Sequence, residues 1–127
     1  MITIKNSTKS MDEIGKGIED AAQDLGFGVL HVHDLKETMK NKGVEFNGEC
    51  RIYEVCNARQ AKKVVEHEPL ISTALPCRIS VFKKGSGYVL ATMKPTWMIG
   101  AFNVPDLKAV AEEVEKVIDA IMERAAG

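Results

Sequence analysis

Cys56 and Cys77 stand where thiol chemistry is conceivable. Cys56 directly precedes Asn57, a predicted helix N-cap, so its sulfur lies near unpaired amides and the positive end of a helix dipole, both of which favour thiolate. Cys77 is followed by Arg78, whose guanidinium would act in the same direction. The same residues also read as small buried hydrophobes, and Cys56 closes an alternating strand as a core residue does. Both readings remain open for each thiol. No C-x-x-C is present, so a thioredoxin-like dithiol is not expected, and Cys50 is read as structural.

Three further groups bear on a site. In "HVH", His31 and His33 are two residues apart on a predicted strand, so both imidazoles face one side. With Cys56 or Cys77 as a third ligand they would form a site for zinc or another borderline metal. Glu54 falls inside the predicted strand 50–56. It needs a partner there, and Arg78 is the first choice. On a pocket wall, the two would orient a ligand. Finally, "KPTWMIGAF" (94–102) holds the only tryptophan, Trp97, among Met98, Ile99 and Phe102. A segment this apolar has to be covered, and it is read as core edge, pocket wall or dimer contact. His67 is read as a solvent-facing helix-end residue. No phosphate-binding glycine loop, G-x-S-x-G or H-E-x-x-H motif is present.

The elements that position these residues follow from periodicity and capping. Ser10/Glu13, Asp34/Glu37 and Asn57/Gln60 are each spaced as capping boxes, which predicts three helix starts. Ile14, Ile18, Ala21, Ala22 and Leu25 form one apolar stripe, with Gly26 placed to end the first helix. A second, two-turn helix closes at Gly43. A third turns Ala61, Val64 and Val65 inward and stops before Pro69. A long last helix, with Pro105 near its start, carries a stripe from Leu107 to Met122. Strands are predicted at 1–5, 27–33 and 50–56, and "RISVFKKGSGYVLATM" predicts a hairpin turning at 84–87. The order β-α-β-α-β-α-β-β-α fits an α+β two-layer sandwich in one domain, 1–127. Its sheet is mostly antiparallel with helices packed on one face. The other face is left to be curved, covered by a partner or used for binding.

Totals narrow the function classes. The chain has 127 residues, 45% of them hydrophobic, and a formal net charge of −1. That balance gives no pull towards nucleic acid or an anionic membrane. An odd number of cysteines and an N-terminus without an apolar leader region predict a reduced, cytoplasmic protein. No apolar run reaches the length of a membrane span.

"GFGVLHVHDLKETMKNKG", "YEVCNARQAKKVVEHEPLISTALPCRISVF" and the hairpin that follows resemble the family called domain of unknown function 302, over roughly residues 10–95. The pairing of "VCN" with "LPCRI" is the most specific part. Ala58 stands where the family often has proline after "CN", a small departure because proline would only favour helix initiation slightly. The resemblance implies a compact α+β fold similar to the TATA-binding-protein-like class, and commonly a homodimer. It implies no reaction and no cofactor. It also marks Cys56 and Cys77 as positions to watch.

The combined expectation is a non-enzymatic, homodimeric small-ligand binding or sensing module. Its pocket would lie between the sheet and the 94–102 segment, bordered by Cys56 and Cys77, with Glu54, Arg78 and Trp97 as contacts. The alternative is a thiol-dependent redox or metal-binding protein that uses Cys56 and Cys77. A third reading is a protein whose only role is assembly.

Overall fold

The computed structural model describes residues 1–127. The chain runs β1 (Ile2–Ser7), α1 (Met11–Asp24), β2 (Gly28–Asp34), α2 (Leu35–Asn41), β3 (Cys50–Cys56) and α3 (Ala58–His67). It continues through a 3-10 turn at Pro69–Ala74 to β4 (Cys77–Lys84), β5 (Gly87–Met93) and α4 (Pro95–Gly100). A second 3-10 turn, Pro105–Leu107, leads into α5 (Lys108–Ala126). The five strands form one sheet in the order β1-β5-β4-β3-β2, with every pair antiparallel. The fold is the expected α+β arrangement, with α4 as an added element.

Local chemistry explains the boundaries. Ser10 makes a complete capping box with Glu13, and Gly26 takes the positive φ (81°) that follows the end of α1. The Asp34 and Asn57 caps are only half of that motif: each side chain accepts from the amide three residues on, and no reciprocal bond is made. α3 ends at His67, before Glu68 and Pro69, as the Pro69 restriction requires. Lys84 pairs with Gly87 across the hairpin, and Gly85 supplies the positive φ at its tip.

The core lies between α1 and α5 on one side and one face of the sheet on the other. Ile14, Ile18, Ile118, Ile121 and Met122 meet Val55, Ile79, Val81 and Leu90, all essentially inaccessible. The helices approach closely: a Cβ on Gly17 would sit 3.0 Å from Ala125 Cα. A smaller cluster of Val64, Ile71, Ile99, Leu107 and Ala111 joins α3, the first 3-10 turn, α4 and α5. Val65 was expected to point inward with Val64, but it is exposed, because α3 is covered along a single narrow stripe.

The strand register sorts β3 into two faces. Tyr53 and Val55 are buried beneath the helices; Cys50, Ile52 and Glu54 lie on the other side. Across β4 the same uncovered face carries Arg78, Ser80 and Phe82, paired with Glu54, Ile52 and Cys50. β2 contains a bulge between Val29 and His31. Val29 pairs with Val55 on the covered face, so in an unbroken strand His31 would follow it there. The extra residue, Leu30, shifts the alternation: Val32 takes the covered face opposite Tyr53, and His31 and His33 turn to the uncovered one.

Candidate functional site

The segment 95–102 is a short helix and turn rather than an irregular loop. Pro95 occupies its first turn, where the missing amide costs little. Thr96 fixes it to α5, donating both its hydroxyl (2.6 Å) and its amide (3.2 Å) to Glu115 Oε1. Lys94 N–H donates to the carbonyl of Met1 (2.7 Å), tying the same corner to β1. Held in this way, α4 overhangs one end of the sheet and has a cavity on either side.

The outer cavity is a cleft of about 570 Å³ between α4 and the uncovered sheet face. Ile52, Arg78, Ser80, Ala91 and Met93 come from the strands, and Trp97, Met98 and Phe102 from the α4 segment. Nine of its fourteen lining residues are hydrophobic, and Arg78 is the only charged one, so one cation would orient whatever binds. Trp97 is 48% exposed at its wall. The inner cavity is much smaller, about 40 Å³, and lies on the covered side among Cys56, Cys77, Gln60, Val64, Ile71 and Met98. Ala74, Pro76 and Met98 line both, so they form the partition. The expected single pocket is therefore two: the thiols border one, and Arg78 and Trp97 the other.

Of the two readings of each cysteine, burial favours the small buried hydrophobe over the stabilised thiolate. Cys77 pairs with Val55 on the covered face and is 8% exposed. Its pKa is pushed up to about 11, chiefly by burial and further by Cys56, against a smaller opposing effect of Arg78. Burial also raises the Cys56 thiol, despite its place beside the start of α3. Gln60 is the unforeseen member of this group. Its side chain leaves the half-made cap, and Oε1 is buried without a hydrogen-bond donor in the inner cavity.

Glu54 and Arg78 are cross-strand partners, as the sequence suggested, but Arg78 is not the closer contact. Glu54 Oε2 accepts from His33 Nε2 at 3.0 Å and lies 3.7 Å from Arg78 Nε. An ionised carboxylate only accepts, which assigns the bonding proton to His33 Nε2. His33, then Arg78 and His31, hold the Glu54 carboxyl below its usual range. The His31 and His33 rings meet edge to face at 4.3 Å.

The metal set built from His31, His33, Cys56 and Cys77 is not assembled. The bulge sends both histidines to the uncovered face while Cys77 faces the helices, and no three histidine, cysteine, aspartate or glutamate side chains converge as a metal would need. Cys50 has a polar neighbour, Ser80 Oγ at 3.8 Å. His67, at the end of α3, lies 3.6 Å from Asp106. No helix is long and apolar enough to cross a membrane.

Comparison with known proteins agrees with this architecture. The crystal structure of an uncharacterised conserved DUF302 protein from Bacillus stearothermophilus superposes with a TM-score of 0.91 at 30% identity, covering 98% of this chain and 97% of that one. Comparison with curated proteins gives no match. The family model for "Domain of unknown function DUF302" matches residues 3–125, nearly the whole described fold, and the chain therefore belongs to the DUF302 family.

Proposed function

We propose that this protein is a small-ligand binding or sensing module without catalysis, and that the cleft between the uncovered sheet face and α4 is its binding site. The carrying observation is the cleft itself. Its volume of about 570 Å³ falls within the range of small-molecule sites, roughly 300–1,000 Å³, and its walls are apolar apart from one cation and a few hydroxyls. Trp97 reports on that wall and is the only tryptophan in the chain. The test is a binding screen read by Trp97 emission and thermal shift. Ala91→Leu, which puts bulk on the cleft floor, is the control. The proposal predicts hits whose binding the leucine abolishes; a screen in which wild type and Ala91→Leu respond alike removes the site.

The same reading includes a homodimer. Ile2, Ile4 and Met93 are 42%, 59% and 42% exposed on neighbouring strands at the β1 edge. A second copy set on them would bury this apolar surface and wall the cleft from the β1 side. Sedimentation of wild type and Ile4→Lys at micromolar concentration tests it. A monomeric wild type rules the dimer out, and with it any role limited to self-assembly.

Thiol-dependent redox or metal chemistry is the second reading. It is favoured by Cys56 and Cys77 lining one cavity with the thioether of Met98 and the unpartnered Gln60 carbonyl. Burial opposes it by keeping both thiols protonated. Labelling followed by intact mass decides: rapid modification of the native protein near neutral pH supports thiol chemistry, and labelling only after denaturation ends it.

A further inference from the structure

We infer that the cleft takes an amphipathic carboxylate, with its head on Arg78 and its apolar body against Ile52, Met93, Trp97 and Phe102. The inference rests on the cleft being a binding site and names what that site selects.

The first argument is the state of Arg78. Its side chain is half exposed and makes one long contact, Nε to Glu54 Oε2 at 3.7 Å. A direct charge-assisted hydrogen bond is about 2.7–2.9 Å, so the pair is an electrostatic neighbour relation and not a clamp. No other protein acceptor takes the guanidinium N–H groups. Arg51, on the same sheet, is committed instead: Nη1 reaches Asp12 at 2.9 Å and Nε lies 3.5 Å from Asp34. Arg78 thus offers a planar pair of donors to the cleft, the geometry that suits a carboxylate.

The second argument is the sharing of Glu54. One oxygen, Oε2, faces both His33 and Arg78. The titratable or charged groups around it are His31 and His33 from β2 and Arg78 from β4; Ile52, beside it on the same face of β3, carries no charge. Oε2 lies 3.0 Å from His33 and 3.7 Å from Arg78, so the imidazole makes the direct hydrogen bond to the carboxylate and the guanidinium keeps its donors for a ligand.

The third argument is the absence of any second charge on the cleft wall. A neutral ligand would leave Arg78 to water, and a dianion would have a single cation to meet it. A monoanion with an apolar body matches both parts of the lining.

The experiment titrates decanoate and decanol, each below its aggregation limit, into the full chain and reads Trp97 emission. Decanoate is expected to bind about tenfold more tightly than decanol at pH 6, the scale of one charge-assisted contact. Arg78→Gln should bring decanoate down to decanol and leave decanol unchanged. Ala91→Leu should block both probes, which separates the cleft from adsorption to surface patches. Equal binding of the two probes, unaltered by Arg78→Gln, overturns the carboxylate assignment while the cleft stands. Failure of both probes, together with an empty screen, overturns the cleft as well. The probe comparison in wild type decides the head-group question even if a variant folds poorly.

Discussion

The two faces of the sheet are made from the same strands and differ in what they ask of each residue. On the covered face Tyr53, Val55, Ile79, Val81 and Leu90 are nearly inaccessible and belong to one core cluster with the side chains of α1 and α5. On the uncovered face Ile2, Ile4 and Met93 are substantially exposed at the β1 side, and Arg78, Glu54, His31 and His33 lie across β4, β3 and β2. The first face is constrained by volume, because a packed interior registers a single methylene. The second is constrained by charge, because little there fills space that another group needs.

The sharpest way to break this comparison is a truncation on each side. Ile79→Ala should destabilise the protein by about 2–5 kcal/mol, the transfer loss plus the cavity left behind. Ile4→Ala should stay within about 0.5 kcal/mol at a concentration where the chain is monomeric. Urea midpoints with unchanged slopes would show this; equal costs would mean that the uncovered face is packed as well.

Next in size is an alkaline effect confined to the covered face. Cys77 has a native pKa of about 11 against an ordinary 9.0, so the native state keeps it protonated where the unfolded chain would ionise. Stability from this group is complete below pH 9 and is lost as pH rises towards 11. Two pKa steps are worth roughly 2–3 kcal/mol. Cys77→Ala should flatten that limb of the stability–pH curve whatever it costs at pH 7. An unaltered alkaline slope would show that the thiol is not sealed. Smaller again is Gly15→Ala, about 1–3 kcal/mol. A Cβ there would overlap the Tyr53 hydroxyl, so α1 or the tyrosine must move. Thermal unfolding of this variant beside Gly100→Ala, also helical and where a Cβ meets nothing, would isolate the contact from helix propensity.

How far the sequence could be read follows from which rules are local. β3 begins and ends where its alternation does, at Cys50 and Cys56, and Ser10/Glu13 announced α1 because both halves of a cap lie within four residues. The Leu30 bulge left no such signature: "GVLHVH" reads as an unbroken strand, and only pairing with β3 shows the extra residue. Gln60 was assigned to a cap by spacing, and the cavity under α3 claims it instead. One separation was legible. Cys77 and Arg78 are adjacent on a strand, so they face opposite ways and could not serve one pocket. α4 was missed because six residues are too few for a periodic pattern, although Pro95 at the first position was a usable signal.

The smallest expected effect tests the uncovered face where charge is its only constraint. Glu54 is held below the ordinary carboxyl value of 4.5, chiefly by its hydrogen bond from His33. A depressed carboxyl contributes stability that is present above its unfolded pKa and disappears as pH falls through the lower, native one. Wild type should therefore lose stability in acid more steeply than Glu54→Gln, with the two curves converging below the native pKa. At neutral pH the glutamine should cost little, because it still accepts from His33 and occupies the same volume. If instead Glu54→Gln unfolds the chain at neutral pH, the carboxylate is structural. The uncovered face would then be organised around that charge, as the other is around its volume, and the contrast between the two faces would fail at its most polar point.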